Sequence, residues 1–140
     1  MTQTTQDAFD DFANLCRQAI SEQVSGRTQP FQALWSNSDD VVLIGASGSH
    51  QVGWKDVSVQ LTWASQHLSY TSWTFENLLI GISNDLAFTV DLEHMRDDAG
   101  HERTLRASQG YRYEYGGWRV IFRHADPMAE PVVLPERGDG

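Results

Sequence analysis

One cysteine and one lysine stand in this chain of 140 residues. With Cys16 alone, no disulfide can close within the chain and no cysteine-based zinc site is expected. A cytoplasmic location follows as the default setting for such a chain. No apolar run approaches the ~18 residues that cross a bilayer, so no membrane partner is expected. The opening MTQTTQDAFDDF has no basic stretch leading into an apolar one, so no secretory leader is expected. Positive charge is scarce, and the formal net charge of −9 argues against a nucleic-acid partner. His94 and His101 flank a turn and carry no coherent ligand spacing, so no metal and no cofactor is expected. GASGSHQVG holds glycines but does not open a helix as a phosphate loop requires. No nucleophile elbow is visible.

What the chain does hold is apolar residues at 40%, with 11% aromatic, enough for one folded core. Phe9, Phe12, Ala13, Cys16, Ile20 and Val24 keep helical spacing from Asp7 to about Ser25, with Gly26 as the stop. Pro30 suits the first turn of a short helix, PFQALWS. VVLIG at 41–45 reads as a buried strand and ASGSHQVG as a loop. Val57, Leu61, Ala64 and Leu68 predict a second long helix over 54–68. Strands follow at about 70–82, 86–96, 102–115 and 118–125, separated by hairpin turn residues. Helices first and an antiparallel meander after them predict an α+β domain over residues 1–127. The proline-rich residues 128–140 read as a tail.

The turns allow a register. Centring the last hairpin on Gly116-Gly117 pairs Tyr113 with Val120, Tyr111 with Phe122 and Gln109 with His124. Centring the previous one on Asp98-Ala99 pairs Leu105 with Leu92, Ala107 with Val90, Gln109 with Phe88 and Tyr111 with Leu86. These residues share one face by the two-residue period, and that face is apolar almost throughout. Gln109 and His124 are its polar exceptions, a satisfied structural pair or the wall of a cavity. A β-bulge near the strand end would reverse His124. The opposite face pairs Asp91 with Arg106 and also carries Thr89, Ser108, Ile121 and Ala125, a semi-polar surface suited to a homodimer. His124 is the acid–base candidate because imidazole titrates near neutrality, with Asp126 as a possible orienting group.

The segment FQALWSNSDDVVLIGASGSHQVGWKDV, the long helices on either side of it, and the strand GGWRVIFRHADP resemble the nuclear transport factor 2-like superfamily, in its SnoaL-like branch. The resemblance spans about residues 7–127. It implies a cone-shaped, cystatin-like roll, in which a strongly bent antiparallel sheet wraps the N-terminal helices and leaves an apolar pocket. It also implies homodimers packed through the outer face of the sheet. Members include isomerases, dehydratases and cyclases, and also non-catalytic binding or oligomerisation modules. The general base of the ketosteroid isomerases falls at Gly45 here and their oxyanion-hole tyrosine at about Ala19. Dehydratase-like chemistry needs a histidine with a carboxylate, which His124 and Asp126 supply. The arginine that holds carboxylates in kinase hub domains falls at Gln109. The expected ligand-binding set is Gln109, His124, Tyr111, Phe88, Trp35 and Trp54. Two functions follow as expectations. One is a small-molecule pocket, with or without cofactor-free proton transfer. The other is a non-catalytic dimeric binding module.

Overall fold

The computed structural model describes residues 4–136. Helix α1 spans Thr5–Val24, and the Thr4 hydroxyl accepts the Asp7 amide at its first turn, 3.0 Å away. Its buried stripe is Phe9, Ala13, Cys16, Ile20 and Val24, with Ala19 and Gln23 beside it. Helix α2 is a single turn, Gln29–Gln32, with Pro30 at its start. Strand β1 (Val42–Ile44) pairs antiparallel with β2 (His50–Val52), which lies inside the stretch expected as a loop. Helix α3 runs Trp54–Gln66, and strands β3 (Ser72–Ile82), β4 (Leu86–Arg96), β5 (Glu102–Glu114) and β6 (Gly117–Pro127) complete the chain. Residues 128–136 carry no regular element, and 137–140 of the expected tail lie outside the described residues.

The sheet is curved and open, in the order β2-β1-β6-β5-β4-β3. Parallel pairing of β1 with β6 joins the short N-terminal hairpin to the long meander. The expected α+β class and its helices-first order are therefore observed. The core lies between α1, α3 and the inner face of β4–β6, where Phe9 meets Tyr111 and Trp118 edge-on at 5.0 and 5.2 Å between ring centroids.

The register differs from the expected one at both hairpins. The β4–β5 loop is three residues, 98–100, closed by Asp97 N–H donating to the His101 carbonyl, with Gly100 at φ 85°. An odd loop in place of an even one slips the pairing by one residue and turns every β4 side chain over. Ala87, Thr89, Asp91, Glu93 and Met95 face the helices and are buried, while Leu86 and Phe88 face outward. Asp91 stands opposite Ala107 and Arg106 opposite Leu92, so the expected Asp91–Arg106 ion pair does not form. Asp91 instead pairs with Arg17 of α1 at 3.2 Å.

The β5–β6 turn is Tyr115-Gly116, one residue earlier than expected, with Glu114 opposite Gly117. Tyr111 then pairs with Val120 and Gly110 with Phe122, leaving Ile121 as an extra residue. This bulge reverses the last part of β6. Gln109 stands opposite Arg123 and not His124, while His124 stands opposite Ser108 on the outer face. Arg123 and Ala125 turn inward and are buried.

Tyr115 is fully exposed and holds φ at 51°, and Gly116 follows at 81°. Both central residues thus occupy the left-handed region that a primed two-residue turn needs. A tyrosine there costs about 1–2 kcal/mol and makes no buried contact in return. Tyr115→Asn is expected to raise unfolding free energy by about 1 kcal/mol in a urea melt, because asparagine tolerates this conformation. A loss of stability would show that the turn has another geometry.

Candidate functional site

The slipped register leaves a row of polar side chains on the inner face. The Arg123 guanidinium donates to Glu93 through both terminal nitrogens, at 2.9 and 2.7 Å. Nη1 also donates to the Gln109 amide oxygen at 2.9 Å. The amide nitrogen of Gln109 donates to the Tyr111 hydroxyl at 2.7 Å, and that hydroxyl lies 2.7 Å from Thr89 Oγ1. Strands β4, β5 and β6 are thereby tied together under the helices. Beside this row, Asp91 takes the Arg17 guanidinium and the Asn77 amide nitrogen, 2.8 Å away. The Arg17 guanidinium also lies over the Phe75 ring, 4.1 Å from its centre.

Burial governs the protonation of these groups. It acts to lower the Arg123 pKa, but the adjoining Glu93 carboxylate outweighs it and the net shift is upward. Arg123 therefore remains a cation with its charge matched. Burial pushes the Tyr111 hydroxyl and the Cys16 thiol up, so both stay protonated at neutral pH. A protonated buried thiol is not a nucleophile.

A cavity of about 260 Å³ opens beside Arg123, between α1, α3 and the inner sheet. Ile20, Val24, Phe31, Leu43, Leu61, Leu68, Met95 and Leu105 give it apolar walls. Its polar members are Gln23 from α1, Gln60 from α3, Arg103 from β5, Arg123, Ser47 and His67. Gln23 donates its amide nitrogen to the Leu61 carbonyl at 2.8 Å, which fixes the amide orientation and leaves its oxygen without a partner. Gln60 likewise holds a buried, unpartnered amide oxygen. Its amide nitrogen lies over Gly45, where a Cβ would come within 2.5 Å of it. Gly45, the position that the resemblance aligns with an isomerase base, thus has a glutamine side chain laid across it. Trp63 and His67 stack at 4.1 Å where α3 ends, and His67 Nδ1 lies 2.8 Å from the Trp63 carbonyl.

A second depression, an open groove of about 710 Å³, lies at the other end of the β5–β6 hairpin. Trp35 and Trp54 line it, with ring centroids 6.4 Å apart. On its wall Arg112 donates to Asp40 and Glu114, and its hydrogen bond draws the Asp40 carboxyl down to about 2.

The expected site residues are therefore spread over three places. Gln109 and Tyr111 are joined to each other in the buried row, Trp35 and Trp54 line the open groove, and Phe88 lies outside over Gly81. His124 and Asp126 do meet, with Nε2 2.8 Å from the carboxylate, but on the outer face and half-exposed. None of the six expected ligand-binding residues lines the cavity beside Arg123. Arg103, Arg123, Gln23 and Gln60 stand outside the expected set of site residues. Gln23 and Gln60 carried a legible signal, since each follows an apolar helical residue, Ile20 or Val57, by three positions and so falls on the buried stripe.

A SnoaL-like domain family model matches residues 13–130. No curated protein matches the chain. Among solved structures, an NTF2-like protein of unknown function from Pseudomonas putida KT2440 superposes with a TM-score of 0.70 at 19% identity, covering 89% of each chain. A Thiobacillus denitrificans protein, provisionally described as a calcium/calmodulin-dependent protein kinase type II association domain, gives 0.69 at 19% identity over 92% of this chain and 98% of its own. A Streptomyces avermitilis protein of the NTF2-like family, provisionally described as a dehydratase, gives 0.66 at 16% identity over 86% of this chain and 97% of its own. At such identities the likeness is one of fold.

Removing one partner of the buried ion pair tests the row. Glu93→Ala strands the Arg123 guanidinium and is expected to cost about 3–5 kcal/mol in a urea melt. Adding Arg123→Met to that variant should restore part of the loss. A double variant as unstable as the sum of its singles would show that the two charges do not act on each other.

Proposed function

The chain belongs to the SnoaL-like domain family, and from that membership we propose that it binds a small molecule in the cavity of about 260 Å³ beside Arg123. The observation that carries this reading is the cavity itself, whose apolar walls from α1, α3 and the inner sheet are joined by the Arg103 and Arg123 side chains. A molecule with an apolar body fills such a space. No aspartate or glutamate is among the described lining residues, so the cavity offers no carboxylate base. Binding without chemistry is therefore the first reading. A cytoplasmic setting remains part of it, on the single cysteine.

Proton transfer is the second reading, and one geometric fact favours it. Nδ1 of His67 donates to the Trp63 carbonyl, which leaves Nε2 outside that contact on a residue that lines the cavity. His124 with Asp126 takes no part in this reading, because the two lie on the other face of the sheet.

The same family membership supports a homodimer through that outer face. Leu86 and Phe88 are nearly half-exposed in the single chain, and Leu79 and the partly covered Val90 lie beside them. The protein from Thiobacillus denitrificans is itself described as an association domain.

Two measurements test these readings. Thermal-shift screening with small aromatic compounds should find ligands that stabilise the wild type, by about 2.7 kcal/mol at a hundredfold excess over Kd. Ala64→Phe, which fills the cavity, should abolish that stabilisation. A panel that leaves the wild-type Tm unmoved overturns the pocket. Sedimentation equilibrium at tens of micromolar should show a dimer, with an interface above ~1,000 Å², and Phe88→Glu should give monomers. A wild type that is monomeric throughout removes the dimer and leaves the pocket standing.

A further inference from the structure

We infer that the cavity selects a small amphipathic carboxylate and that Arg103 is the residue that holds its charge; this rests on the cavity being the binding site. The chain as a whole is acidic, at −9, yet the described lining of the cavity contains two arginines and a histidine and no carboxylate. The two arginines are in different states. Arg123 is neutralised in place by Glu93, and Gln109 takes a further hydrogen bond from it. Arg103 is half-buried, and its hydrogen bond runs from Nη2 to the Ala46 carbonyl at 3.3 Å. No carboxylate pairs with it among the described residues, whereas Arg17, Arg96, Arg112 and Arg123 each have one.

A guanidinium carries five N–H donors in a fixed fork, and one neutral acceptor leaves most of them open. A partly desolvated cation without a counter-ion favours an incoming anion over a neutral molecule. A carboxylate fits the fork with both oxygens and brings a single charge, which matches the one unpaired arginine. A phosphate dianion would need a second unpaired cation that the described lining does not offer. The remainder of the lining fixes the remainder of the molecule. Phe31, Leu61, Met95 and Leu105 require an apolar body. The volume of about 260 Å³ is below the range of ~300–1,000 Å³ usual for drug-sized ligands, so the molecule is small. A small aromatic monocarboxylate has this combination.

The probes are 4-hydroxycinnamate and its neutral primary amide, titrated by calorimetry into wild type, Arg103→Gln, Arg103→Lys and Ala64→Phe. The acid is expected to bind wild type more tightly than the amide. In Arg103→Gln its affinity should fall about tenfold to a hundredfold, the worth of a charge-assisted hydrogen bond, while the amide is unaffected. Arg103→Lys should keep part of the preference. Ala64→Phe should weaken both compounds. Equal binding of acid and amide by wild type, or an acid affinity unchanged in Arg103→Gln, overturns the inference and leaves the cavity reading intact. Acid binding that depends on Arg103 but ignores Ala64→Phe places the anion on the surface and overturns both. Binding of neither compound by wild type overturns the inference, and the thermal-shift panel then decides the cavity separately.

Discussion

Arg123 reaches Glu93 from β6 to β4 with β5 lying between them, and both side chains sit in the interior. Two charges withdrawn from water carry a desolvation cost of several kcal/mol each, which only close, bidentate geometry offsets. That geometry exists in one register of the two hairpins. Slipping β4 by one residue sends Glu93 to the solvent face, and removing the bulge at Ile121 sends Arg123 there. Either change leaves the other charge buried without its partner. The pair thus penalises the alternative registers that the apolar alternation of Leu86, Phe88, Val90 and Leu92 would otherwise favour.

The inner face that results is unusual for a sheet packed on helices. Thr89, Asp91, Glu93, Gln109 and Arg123 are all buried, and each has a hydrogen-bond partner. A fully satisfied network of this kind specifies a single arrangement, because any shift leaves polar atoms unmatched. Outside this network, the amide oxygens of Gln23 and Gln60 and the indole nitrogens of Trp35, Trp73 and Trp118 are buried without a partner. Open space with apolar walls, beside this network and with the Arg103 side chain in its lining, gives the proposed site its physical basis. Arg123 belongs to both regions, so the cavity wall is as rigid as the pair that holds it.

The same slip has a consequence on the other side of the sheet. Turning β4 over places its apolar row outward, with the Phe88 ring across Gly81, where any side chain would collide with it. A single chain therefore presents leucine and phenylalanine to water on a face that the alternation seemed to assign to the core. The polar interior and the apolar exterior of β4 are one event. The proposed dimer is the complement of the buried ion pair.

Local periodicity was enough to place the two long helices, the four long strands and the helices-first α+β order. Each depends on neighbours a few residues apart, through apolar spacing, turn residues and caps. The motifs around Trp35 and His124 were enough to identify the superfamily. The short β2 was hidden, since its three residues become a strand through pairing with β1 and carry no periodic signal of their own. The faces of β4 and of the end of β6 were hidden for a different reason. They turn on whether a loop has two residues or three and on whether Ile121 is paired or bulged, and either choice changes the parity of everything beyond it. Only tertiary structure settles that parity, because the free energy that selects it comes from Arg123 meeting Glu93, partners that lie 30 residues apart in the chain.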